Sequence, residues 1–227
     1  SNSIRLQSVR VNFRIYRARE CVGARARGQN KSVYGFIRKH ESHDARRCVS
    51  GRSDSCSANP TFRAIGLMAM RFGIGVDVHP LAEGRALVLG GVNIPHTHGL
   101  DGHSDGDVLV HSVIDAMLGA AGLGDIGTHF PPGDEQYRGI DSTVLLVRTV
   151  EIIAERDWRV QYVDATILAE RPRLRPYISE IRATLARSLN VSDELVSVKA
   201  TTTDGLGFTG RSEGIACMAV ATLDDHR

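Results

Sequence analysis

His103-Ser104-Asp105-Gly106-Asp107-Val108-Leu109-Val110-His111 is the stretch from which the domain can be read outward. It places imidazoles and carboxylates where an apolar helical period begins: Val108, Leu109, Val113, Met117 and Leu118 recur at helical spacing, and Ser104 or Asp105 is positioned to cap the helix. Upstream, Arg71 to Val78 alternates Phe72, Ile74, Val76 and Val78 with small or polar residues, the period-two pattern of a strand. That strand ends in Asp77-Val78-His79-Pro80, so Asp77 and His79 project from one face.

Between these segments, Ala86–Leu89 and Val92–Ile94 flank a Gly90-Gly91 turn, and a polar loop is expected from His96 to His103. Downstream, a Gly-rich loop over residues 122–139 precedes a helix capped by Asp141-Ser142 and running to about Glu155. A strand over residues 160–169 follows. Beyond it lies a third helix with the stripe Ile178, Ile181, Leu185 and Leu189. Two last strands, Val196–Ala200 and Gly214–Leu223, bracket a loop over residues 201–213. Interleaved strands and helices predict an α/β domain with helices packed against one sheet.

Charge divides the chain. Residues 1–70 carry a balance of +10 and the rest −8, which together give the net +2. A basic, Ser-rich arm over residues 1–67 is therefore expected to precede the domain over residues 68–227. A plastid-type transit segment, a nucleic-acid-binding tail and a dispensable extension all fit that composition. No apolar run reaches the roughly 18 residues of a membrane span. Cys21, Cys48 and Cys56 lie in the arm without metal-type spacing, and Cys217 sits in an apolar run as an inert thiol. No disulfide framework is implied, which favours a reducing compartment.

Two clusters carry chemistry. Asp77 and His79 alone read as a solvated strand end. With His111, which lies between Asp107 and Asp115 at intervals of four on the helix, they form an Asp-His-His set suited to Zn²⁺ with one position left for a substrate oxygen. A core histidine or a salt-bridge partner is the plainer reading of His111 taken singly. The second cluster, residues 199–211, combines Thr201-Thr202-Thr203-Asp204 with three glycines and Arg211. Such a loop can approach phosphates, and Asp204 can hold a hard cation; a Thr/Gly-rich surface turn is the alternative. The order of a P-loop is missing.

Taken together, Gly75-Val76-Asp77-Val78-His79, His103-Ser104-Asp105-Gly106-Asp107, Gly124-Asp125-Ile126-Gly127 and the stretch over residues 199–214 resemble the 2-C-methyl-D-erythritol 2,4-cyclodiphosphate synthases. The resemblance spans about Met70 to Leu223. It implies an α+β fold, a mixed sheet with helices on one face, assembled as a homotrimer with active sites between subunits. The implied reaction converts a 4-diphosphocytidyl-methylerythritol 2-phosphate into the cyclic diphosphate plus CMP, in the non-mevalonate isoprenoid pathway. The resemblance makes Asp77, His79 and His111 ligands of one Zn²⁺, and Asp204 the partner of a second cation, Mg²⁺ or Mn²⁺. His103 and Thr202 match hydrogen-bonding positions that stabilise the transition state.

By the same resemblance, Ala169, Pro172, Arg173, Leu174 and Arg175 form the cytidine loop, and Asp125, Ile126, Gly127, Phe130 and Asp134 meet the methylerythritol and ribose. Val78, Ser104, Thr201, Thr203, Phe208 and Arg211 complete the substrate side. The last two, with Glu213, match the family's central trimer cavity. Asp204 stands where the family commonly has Glu, and Pro132 where it has Asp. The resemblance implies neither a nucleic-acid nor a membrane partner, and a bacterial cytoplasmic location, or plastid stroma if the arm is a transit peptide. A zinc-dependent phosphoester hydrolase and a non-catalytic trimer that captures isoprenoid diphosphates are the competing functions.

Overall fold

A computed structural model of the chain describes residues 69–225; the arm over residues 1–67 lies outside the described residues. The strands are β1 (Met70–Glu83), β2 (Leu87–Leu89), β3 (Val92–Ile94), β4 (His98–Leu100), β5 (Trp158–Leu168), β6 (Val196–Thr201) and β7 (Gly214–Asp225). The helices are α1 (Val108–Ala121), α2 (Ile126–His129), α3 (Ser142–Ala154), α4 (Ile178–Leu189) and α5 (Gly207–Gly210). None of the helices among the described residues is long and apolar enough to cross a membrane.

Five strands form one sheet in the order β4-β1-β7-β5-β6. All neighbours are antiparallel except β5 and β6, which run parallel, so the sheet is mixed. A parallel pair needs a crossover, and α4 lies in it. The β2–β3 hairpin stands apart, turned by Gly90 and Gly91 at φ 61° and 72°, the left-handed pair that a two-residue hairpin of this twist requires.

The alternation in β1 identifies a strand, but the buried face is the opposite of the one its side chains suggest. Phe72 and Ile74 are 68% and 70% exposed, whereas Gly73 and Gly75 are buried. The cause is α1, which crosses so close that a Cβ at Gly73 would overlap the Ala116 carbonyl, and one at Gly75 the Ser112 carbonyl. Two glycines facing Ser112, Ala116 and Ala120 bring helix and strand backbones together, and that approach carries Asp77 and His79 up to His111. The core continues through Leu109, Ile114, Met117 and Leu118 of α1, Leu146 and Ile153 of α3, Ile167 of β5 and Ile181 of α4.

Several boundaries differ from expectation. The cap of α1 is Asp107, whose Oδ1 accepts from the Leu109 and Val110 amides; neither Ser104 nor Asp105 caps it. Gly106 at φ 74° turns the chain between them, so the first hydrogen-bonding turn starts two residues later. The loop expected over residues 96–103 contains β4, whose three residues are too few to show a period and whose strand form comes from pairing with Leu81–Glu83. Short elements also interrupt the two glycine-rich loops: α2, a 3₁₀ turn at Glu135–Tyr137, and α5.

Candidate functional site

β1 does not end at Pro80 as expected but continues to Glu83; Asp77 and His79, in its second half, meet His111, whose amide closes the first turn of α1. Asp77 Oδ2 lies 2.9 Å from His79 Nε2 and 3.1 Å from His111 Nδ1, and the two ring nitrogens are 3.2 Å apart. A tetrahedral ion with ligands at about 2.0–2.2 Å has ligand–ligand edges of roughly 3.3–3.6 Å, so the three atoms approximate one face of such a site.

The surroundings aim both imidazoles. The carbonyl of Asp101 accepts from His79 Nδ1 at 2.7 Å, which leaves Nε2 with its lone pair facing the cluster. On His111 the roles are reversed. Ser142 donates its hydroxyl to Asp105 and so accepts from His111 Nε2 at 3.0 Å, turning the Nδ1 lone pair toward Asp77. Ser104 Oγ sits equally close to His111 Nε2, at 3.0 Å. Two neutral imidazoles and a carboxylate are the donor set zinc takes, and these residues fit it.

Electrostatics agree with a site that gathers positive charge. Burial opposes ionisation of Asp77, but hydrogen bonds from His111 and His79 outweigh it, and its carboxyl lies well below the usual range. Burial likewise works against a charged His79, yet Asp77 and the Asp101 carbonyl raise its pKa above 6.5. Asp107 differs: full burial pushes it up to about 6 despite bonds from the backbone at Gly91 and Val110. Its carboxylate caps α1 and binds the Gly91 amide, rather than partnering the His111 ring across one helix face. Asp115 also leaves the expected row, accepting from the Ile126 amide at 2.7 Å. Burial raises the Cys217 thiol to about 12, in keeping with an inert side chain.

The triad lines a hollow of about 230 Å³ together with His103, Ser104, Ile126, Gly127 and Phe130. Pro132, Tyr137 and Leu145 complete its wall. His103 is held by its Nε2 donating to the Asp134 carbonyl at 3.0 Å. Asp125 and Asp134 spend their carboxylates capping α2 and the 3₁₀ turn.

A separate hollow of about 330 Å³ is lined by Ala169, Pro172, Arg173, Leu174, Arg175, Thr201 and Thr202, joined by Glu170, Ile178 and Ala200. Val78, Thr203 and Phe208 line a third, apolar one. Asp204, at φ 52°, is exposed and accepts from the Thr202 hydroxyl at 3.2 Å, and exposed Arg211 pairs with Glu213. Within one chain the candidate metal ligands Asp77, His79 and His111 share a hollow with His103, whereas Thr202 lines the other and Asp204 lines neither; no residue is shared between the first two hollows.

Sequence reasoning alone does not identify Asp101, which acts through its backbone, or Ser142, which the local pattern marks only as a helix start. The signal for Ser142 was available, since Asp105 and a hydroxyl at a helix N-terminus are a ready pair. None existed for Asp101, because any residue supplies a carbonyl.

The described domain is similar to known proteins over nearly its whole length. The model of the YgbB family matches residues 70–224. A 2-C-methyl-D-erythritol 2,4-cyclodiphosphate synthase of Syntrophomonas wolfei is 56% identical over 155 residues, covering 68% of this chain and 99% of that protein. Among solved structures, a bifunctional IspDF from Campylobacter jejuni is 40% identical with a TM-score of 0.68, covering 70% of this chain and 43% of that longer one. An IspF from Plasmodium falciparum in complex with CDP is 32% identical with a TM-score of 0.61, covering 70% and 97%. With the fold, the motifs and the family match in agreement, this chain belongs to the YgbB family, the 2-C-methyl-D-erythritol 2,4-cyclodiphosphate synthases.

Proposed function

We propose that this chain cyclises 4-diphosphocytidyl-2-C-methyl-D-erythritol 2-phosphate to the 2,4-cyclodiphosphate with release of CMP, acting as a phosphorus–oxygen lyase of the non-mevalonate pathway. The observation that carries the reading is the Asp77–His79–His111 triangle, with both imidazoles oriented by their neighbours, inside a domain of this family.

In the reaction a 2-phosphate oxygen attacks the β-phosphorus, and the bond from that phosphorus to the oxygen bridging to CMP breaks. The nucleophile is already an anion, so the protein needs to align groups and offset charge more than move protons. Zinc held by Asp77, His79 and His111, and Mg²⁺ or Mn²⁺ beside Asp204, would supply the positive charge that polarises the diphosphate. His103 and Thr202 donate hydrogen bonds to the phosphoryl oxygens as charge builds on them. In the cytidine hollow, Ala169, Pro172, Arg173, Leu174 and Arg175 surround the base, with Thr201 at its edge. Ile126, Gly127 and Phe130 contact the methylerythritol, with Asp125 and Asp134 shaping that wall through their caps.

We also infer a homotrimer whose active sites lie between chains. Phe72, Ile74, Val76, Val78, Met218 and Val220 expose one apolar face of β1 and β7, with Ile74 opposite Val220 and Val76 opposite Met218. An apolar face of that extent marks an interface. A neighbour docked there would bring its own cytidine hollow toward the metal hollow, with Thr203, Phe208 and Arg211 near the threefold axis. The reading carries a cytoplasmic location, or plastid stroma if residues 1–67 act as a transit peptide.

The test is ³¹P NMR of the zinc-loaded protein with the CDP-linked substrate and Mg²⁺. Cyclic diphosphate and CMP in equal amounts are expected. Linear phosphates alone would establish a hydrolase, and unchanged substrate a binding protein.

A further inference from the structure

We propose that Arg85, in the turn after β1, is the positioning residue of the metal hollow: its guanidinium clamps the backbone over residues 100–104 that sets His79. Arg85 Nη2 donates to the Gly102 carbonyl at 2.8 Å and, at a longer 3.5 Å, to that of Ser104; Nε donates to the Leu100 carbonyl at 3.3 Å. Three carbonyls of one short loop thus converge on one rigid, permanently charged fork, which a flexible ammonium cannot match. The pair with Asp101 Oδ1, 3.6 Å long and exposed, contributes little beside these bonds.

What the clamp holds is the carbonyl of Asp101, the acceptor that fixes His79 Nδ1–H. Gly102 presses on the same ring: a Cβ there would come within 2.9 Å of His79 Cε1 and 3.1 Å of Nδ1. The loop also continues directly into His103 and Ser104 of the metal hollow. The fit on the other side is equally close, since Gly99 packs against the Arg85–Ala86 backbone, where a side chain would overlap the Ala86 carbonyl. Arg85 therefore acts at one remove: it holds the loop, the loop orients His79, and His79 presents Nε2 to the ion. Loss of such a partner costs about 10–100-fold in metal affinity.

The inference rests on the zinc reading of the triad, and the experiment separates the two. Zinc affinity is measured on the full chain by competition with a chromophoric chelator, for wild type, Arg85→Ala and Arg85→Lys. Hydrogen exchange of the peptide over residues 98–106 is followed in parallel. For Arg85→Ala, zinc binding should weaken about 10–100-fold. Exchange over residues 98–106 should quicken while β5 and β7 stay unchanged, kcat should fall more than KM rises, and CMP affinity should hold. Arg85→Lys, which keeps the charge and folds under milder perturbation, should recover part of the loss. Zinc affinity in Arg85→Ala within twofold of wild type overturns the clamp alone, as does faster exchange throughout the domain. A wild-type protein that takes up no zinc overturns the metal reading and the clamp with it.

Discussion

The two clusters proposed to meet the substrate phosphates are built differently. Around the triad, each ring has a defined partner on its far side: Asp101 behind His79, Ser142 and Ser104 behind His111, with Asp105 behind Ser142. Around Thr202 and Asp204, side chains bond mainly within their own exposed loop. The first half is preorganised by one chain, as a metal site must be when ion affinity depends on ligand orientation. On the proposed reading, the second takes its final form from substrate, cation and neighbour. Metal binding and cyclisation should therefore respond to different residues, and six substitutions probe that contrast and the scaffold behind it.

The largest effect is expected at a ligand itself. His111→Ala should lose bound zinc after dialysis and lower CMP release by more than about 100-fold, beyond the range for removing a ligand's partner. Metal analysis and a CMP assay on the same sample check this; retained zinc with normal turnover would undo the division. Next comes the support behind the ligand. Asp105→Asn or Ser142→Ala should weaken zinc by about 10–100-fold while leaving CMP binding unchanged.

The scaffold should respond in stability. Gly75→Ala drives a methyl into the Ser112 carbonyl and is expected to cost about 1–3 kcal/mol or more in urea unfolding.

A pH effect should follow from Asp107. Its pKa is raised from 3.8 to about 6, so the folded state binds the proton more tightly than the unfolded chain. The stabilisation from protonated Asp107 is full below 3.8 and is lost as pH rises through about 6. Asp107→Asn, which cannot titrate, should flatten the unfolding midpoint across that window relative to wild type.

The smallest stability effect is expected in the other half. Asp204→Asn keeps a residue that tolerates φ 52° and should change stability by less than about 0.5 kcal/mol, while lowering turnover and weakening its Mg²⁺ dependence.

Much of this was legible in the sequence, because the strongest signals come from residues that satisfy local rules. Alternation in β1, helical spacing after Val108 and the stripe Ile178, Ile181, Leu185 and Leu189 each mark an element through its own period. The pairing of Asp77 with His79 follows from strand geometry alone. What the sequence withheld was set by contacts between distant segments. Gly73 and Gly75 look like weak points in a strand; only the crossing of α1 makes them the buried face. The cap of α1 falls on Asp107, whose Oδ2 is also held by the hairpin amide of Gly91 at 2.7 Å, a partner sixteen residues away that no local pattern shows. The separation of Thr202 from the triad also has no local signature, since motifs adjacent in chemistry need not be adjacent in one chain.

That separation is the central claim, and complementation between two inactive variants tests it most directly. His79→Ala removes the metal half, and the double substitution Thr202→Ala with Asp204→Ala removes the other. Co-expressed with different tags and purified as mixed assemblies, they should regain about one third of wild-type turnover, because every mixed trimer rebuilds one of its three sites from two intact halves across a heterologous interface. Recovery near that level supports sites shared between chains. Mixed assemblies as inactive as either parent would contradict it and place the whole reaction within a single chain.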